Sequence, residues 1–81
     1  MNSALDFTAH ARTMMQERII HEDWVMNTVN TPDITELRGA DEMHYVKRIP
    51  EAGGKNLRVI LNPSANPPRV ITAFFDRRVQ P

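Results

Sequence analysis

The chain has 81 residues, no cysteine, and ten basic side chains balanced by ten acidic ones. That length supports one domain with a small core, over about residues 4–76 of 1–81 with a short C-terminal tail. The lack of cysteine excludes disulfides, thiolate catalysis and Cys-based zinc sites. No apolar run approaches the ~20 residues needed to span a bilayer. Residues 1–7 carry Asp6 and no basic residue, unlike a secretory signal, and the expected location is cytoplasmic. Charge is unevenly spread: residues 1–42 hold three basic and eight acidic side chains, residues 43–81 seven basic and two acidic. Such a split either makes a dipolar surface with a basic face for phosphate, or lets the two halves pair with each other.

Residues 4–18 read as a helix, because Leu5, Ala9, Ala11, Met14 and Met15 recur near the helical period with no Gly or Pro. Ser3 and Asp6 are its candidate N-caps. A second helix begins near His21, with Glu22 and Asp23 in the first turn, where the helix dipole favours anions. Trp24, Val25 and Val29 form its apolar face, and it stops by Thr31 because Pro32 disfavours helix at the preceding residue. Beyond Pro32 the period becomes two. Ile34 to Arg38 is a short strand, and Gly39-Ala40-Asp41 is a turn. Met43 to Ile49 alternates Met43, Tyr45, Lys47 and Ile49 against His44, Val46 and Arg48. A loop with two glycines leads to Asn56–Asn62, where Leu57, Val59 and Leu61 alternate with Arg58 and Ile60. Pro63 to Pro68 holds three prolines and cannot be a central strand. Arg69 to Phe75 is rich in β-branched and aromatic residues and reads as the last strand. The expected architecture is α+β: two N-terminal helices packed on a three- to four-stranded, mainly antiparallel sheet.

No phosphate-binding glycine loop, HExxH or nucleophile elbow is present. His10, His21 and His44 lack a metal-ligand spacing, so neither a metal nor a cofactor is expected. His10 and Arg12 lie two apart on the first helix and do not share a face. An imidazole can serve as a general acid or base, which suits His10 to that role; the alternative is a helix histidine bonded locally. Arg58 points away from the apolar face, Arg48 and Lys47 point to opposite faces, and Thr72 faces opposite to Ile71 and Ala73. A sheet face carrying Arg58, Thr72 and Arg48 or Lys47 can grip a phosphodiester, or be an ordinary solvated face. At least two of Tyr45, Phe74 and Phe75 belong to the core; an exposed one would stack on a base.

Read in order, His10-Ala11-Arg12, Glu17-Arg18-Ile19, Trp24-Val25, Pro32-Asp33, Tyr45-Val46-Lys47, Leu57-Arg58-Val59-Ile60 and Val70-Ile71-Thr72-Ala73-Phe74 form a recognisable series. It resembles the small bacterial domains known as domain of unknown function 4258, from about His10 to Arg78. That family looks like part of a group of compact α+β folds with the RelE- and BrnT-type toxins and other metal-independent ribonucleases. The resemblance implies an endoribonuclease of toxin–antitoxin type, acting on RNA and held by a cognate antitoxin or other protein partner. By matching position, the family-like polar residues are His10, Arg12, Arg18, Arg58 and Thr72. In RNA cleavage His10 would be the base or acid, Arg12, Arg58 and Lys47 the cations, and Thr72 would orient a phosphate oxygen. Arg18, Lys47 and Arg48 would hold the RNA backbone. The family commonly has Gly after Glu-Arg, then Ile and Ser; here Ile19-Ile20-His21 stands there. Isoleucine adopts a positive φ at a cost, so a different turn and a weaker N-cap are expected. Neutral net charge favours the alternative of a non-catalytic protein-interaction or regulatory module on the same scaffold. A binder of small acidic ligands is a third reading.

Overall fold

A computed structural model describes residues 5–78 of the chain. The chain opens with a two-residue strand, β1 (Asp6–Phe7), where the sequence pattern had suggested helix. The first helix, α1 (Ala9–Arg18), begins only after Thr8, whose side chain accepts from the Ala11 N–H. Asp6 therefore does not cap the helix, and Ser3 lies outside the described residues. The Thr8 hydroxyl also donates to the Ile71 carbonyl at 3.0 Å, tying the helix start to the last strand. The helical period misled because Leu5 stands four residues before Ala9, at helical spacing; pairing of Asp6 and Phe7 with a distant strand decided the local conformation instead.

The second helix, α2 (Glu22–Asn30), ends as expected before Pro32. Four further strands follow: β2 (Ile34–Leu37), β3 (Met43–Ile49), β4 (Lys55–Asn62) and β5 (Arg69–Phe75). They build a five-stranded sheet in the order β1-β5-β4-β3-β2. β1 runs parallel to β5 and the other pairs are antiparallel. The sheet is thus mixed, with five strands where three or four were expected. The Gly-Gly loop contains a short 3₁₀ turn, Pro50–Ala52.

Both helices lie on one face of the sheet. Ala11 and Met15 of α1 and Val25 of α2 pack with Leu57, Val59, Leu61, Val70 and Ala73 in a single buried cluster. Tyr45 and Phe75 border that cluster, as expected for two of the three sheet aromatics. Register slips by one residue between Ile60↔Thr72 and Leu61↔Val70. Ile71 is the extra residue of this bulge, so Val70 and Ala73, three apart, both reach the core.

The link between the helices is a Schellman turn. Ile20 N–H donates to the Met15 carbonyl at 2.8 Å, and Ile19 N–H to the Gln16 carbonyl at 3.4 Å. Ile19 itself sits at φ 55°, ψ 55°, in the left-handed region, and its side chain is 74% exposed. The left-handed turn that glycine would supply is therefore kept, contrary to the expectation of a different geometry. The apolar contact that accompanies such turns, here between buried Met15 and Ile20, holds it in place. His21 has the N-cap position of α2 but makes no side-chain cap bond, in line with the weaker cap expected there. A left-handed residue with a Cβ costs about 1–2 kcal/mol, and glycine gives part of that back in unfolded-chain entropy. Ile19→Gly is therefore expected to stabilise the fold by about 1 kcal/mol, read as a higher urea midpoint at unchanged m.

Candidate functional site

Alternation along β3, β4 and β5 divides the polar residues between two faces. Paired across the sheet, Ile34, Val46, Arg58 and Phe74 form one row; Glu36, His44, Ile60 and Thr72 form the next. Both rows lie on the face away from α1 and α2, and no helix covers that face among the described residues. Even so, His44 and Arg58 are only 6% and 7% exposed.

They are shielded because they bind one another and three carboxylates. Arg58 donates through Nε to Asp76 Oδ2 at 2.7 Å, and through Nη1 to Glu36 Oε1 at 3.1 Å. The same Nη1 lies 2.9 Å from His44 Nδ1, and His44 Nε2 lies 2.7 Å from Glu42 Oε2. A guanidinium is always a donor. His44 Nδ1 must therefore accept, so the neutral imidazole carries its proton on Nε2 and donates it to Glu42. Asp76 also accepts from Arg78, at its backbone N–H and guanidinium. Those bonds from Arg78, then that from Arg58, hold the Asp76 carboxyl well below its ordinary value of 3.8 against the opposing effect of burial. Bonds from Arg58 and then Arg38 lower Glu36 as well. The arrangement is an imidazole with a fixed tautomer, oriented by one carboxylate and facing a guanidinium, on a solvent-facing sheet.

Of the residues expected to form the site, three share this face: Arg58, Thr72 and Arg48. Across adjacent strands about 4.8 Å apart, Thr72 stands about 10 Å from His44, with Ile60 between them. Arg48 is exposed at the end of the same face, and its backbone N–H is held by Asp33. The other four lie on the helix side. His10 is exposed on α1. Arg12 pairs with Glu22 at 2.9 Å and covers the Phe7 ring at 4.1 Å. Arg18 lies against Met14, and Lys47 donates to the Thr31 carbonyl at 2.9 Å. The sheet thus separates His10 and Arg12 from Arg58 and Thr72.

The profile of one family, the domain of unknown function DUF4258, matches residues 7–75. The chain belongs to the DUF4258 family. No curated protein and no solved structure matches it. Within this DUF4258 chain, residue-type reasoning missed His44, Glu36, Glu42 and Asp76. The alternation of β3 did place His44 opposite Tyr45 and Lys47. What it lacked was the register that sets His44 beside Arg58. No helix is long and apolar enough to cross a membrane among the described residues.

The charge split of the chain is only partly resolved by pairing. Among the described residues, Glu36–Arg58, Asp6–Arg69 and the Glu42–His44 contact join the two halves, while the other pairs stay within one half.

Asp76 binds its proton less readily in the folded than in the unfolded chain. Its stabilising contribution is therefore complete above its unfolded value and drains away as the pH falls below about 4. Asp76→Asn should cost about 3 kcal/mol at pH 7, because Arg58 stays buried with only Glu36 to neutralise it. The variant should also show a shallower acid limb, measured by urea unfolding at pH 7 and pH 3.

Proposed function

We propose that the uncovered sheet face binds and cleaves RNA without a metal, in the manner of the RelE- and BrnT-type toxin ribonucleases that the family pattern resembles. The observation that carries this reading is the Glu42–His44–Arg58 relay on a face open to solvent. Transfer of a phosphodiester to the 2′-hydroxyl needs a base, an acid and a cation at the phosphorane. Glu42 fixes the imidazole with Nδ1 as its accepting nitrogen. When a phosphate oxygen takes the Arg58 Nη1 bond, Nδ1 becomes available for the 2′-hydroxyl proton, which the same imidazole returns to the leaving 5′-oxygen. Arg58 then stabilises the charge on phosphorus. Thr72, in the same row as His44, is placed for a flanking phosphate, and Phe74, half-buried beside Arg58, offers a ring for a base. In this reading His44 takes the role that residue type had suggested for His10.

A second reading, a non-catalytic protein-interaction module, has its own observation. β2 is a sheet edge, and its Ile34 and Leu37 are 39% and 67% exposed. An apolar free edge is suited to receiving a strand from another protein, such as an antitoxin.

The test is cleavage of single-stranded RNA with chelator present. Wild type and His10→Ala should cut alike and leave 2′,3′-cyclic phosphate ends. His44→Asn, which keeps a polar group of similar reach, should lose 10²-fold or about that in rate. Loss of cleavage in His10→Ala with His44→Asn unaffected would overturn the assignment. No cleavage by any folded form would leave the interaction reading.

A further inference from the structure

Several basic side chains of the described residues have no carboxylate partner, and three of them gather at one end of the sheet. Arg48 is next to last in β3 and pairs in register with Asn56; Lys55 opens β4; Arg77 lies just past β5. There Lys55, Asn56, Phe75, Asp76 and Arg77 line a notch of about 260 Å³. That volume exceeds several times the ~30 Å³ share of a water molecule, which leaves room for a phosphate group. Lys55 is steadied over the Phe75 ring at 5.4 Å. The one carboxylate in the wall, Asp76, is already bonded to Arg58 and Arg78, so its charge is neutralised from within the fold. The notch opens at the end of the sheet, with Lys55 and Phe75 on the helix side and Asn56 and Asp76 on the open side, and it reaches the relay through Asp76, which bonds Arg58. Beside it Arg48 rises on the relay's own face, with its guanidinium against Gly54, where a Cβ would come within 2.8 Å of Arg48 Nη2. A side chain at position 54 would push that cation away.

We infer that this notch is a second phosphate subsite for single-stranded RNA. Lys55 and Arg77 bind the phosphate next to the scissile one, and Arg48 flanks the path between them. The inference rests on the RNA-directed reading of the sheet face and extends it: it sets which end of the sheet the strand leaves by. Lysine supplies a point charge and arginine a fork for phosphate oxygens.

The test separates binding from cleavage. A fluorescein-labelled 2′-O-methyl RNA cannot be cut, because its 2′-oxygen is blocked, so anisotropy reads binding alone. Wild type and His44→Asn should bind it comparably. The Lys55→Ala/Arg77→Ala double variant should bind about tenfold more weakly near 0.1 M salt, and its slope of log K against log salt should fall by about 0.7, the share of one phosphate. Arg69→Ala, a cation at the opposite end of β5, should change neither, and circular dichroism should show every variant folded. A double variant that matches wild type in affinity and slope overturns the subsite, even if RNA with free 2′-hydroxyls is still cleaved. Absence of any binding overturns it as well. Binding that depends on Lys55 and Arg77 with no cleavage by wild type would uphold the subsite and sink the catalytic reading.

Discussion

Two helices of ten and nine residues can blanket one face of a five-stranded sheet, and the other face must then satisfy itself. Much follows from that constraint. On the covered face the alternation is apolar, and Leu57, Val59, Val70 and Ala73 are fully shielded. On the uncovered face the strands place Arg58 and His44 in the middle, where neighbouring strands remove most of their contact with water. A buried guanidinium without partners is costly, so Asp76 and Glu36 converge on it from opposite sides. Among the described residues no buried side-chain polar atom is left without a partner.

The same convergence is what makes the face chemically interesting. Packing alone would be served as well by an apolar residue at position 58. Instead the sheet carries an imidazole, its orienting carboxylate and a permanent cation in hydrogen-bond contact, with a hydroxyl in the imidazole's row and, among the described residues, cations without a carboxylate partner at one end. His44, Arg58 and Thr72 are held by strands, and Glu42 stands one residue before β3, so they are positioned before any ligand arrives. The bulge at Ile71 contributes to this: it turns Thr72 to the open face while keeping Val70 and Ala73 in the core.

The link between α1 and α2 shows the opposite balance between local preference and packing. Ile19 is a poor residue for a left-handed position, and His21 is a poor cap for α2. Both are tolerated because Met15 and Ile20 close the turn from beneath and His21 packs on Trp24, with ring centroids 4.4 Å apart. Contacts of the flanking residues override the preferences of the two in between, and the strain sits in the left-handed backbone of Ile19.

Alternation and punctuation were enough to place both helices' main bodies, four of the strands and the side of β4 from which Arg58 projects. Those features depend on residues near in sequence: Pro32 ends α2, and the period of two in β3 and β4 separates apolar from polar faces. The resemblance carried by short motifs was likewise legible in the chain, because it rests on order along it. The first strand was not legible, since Asp6 and Phe7 are extended only through pairing with Arg69 and Val70, more than 60 residues away. Nor was the relay. Glu36, His44, Arg58 and Asp76 come from four separate segments, and only strand register brings them within hydrogen-bond distance. The sequence by itself determined the periodicities and the inventory of charged groups. The tertiary structure decided which charges meet, because sheet pairing is a relation between distant residues that no local pattern encodes.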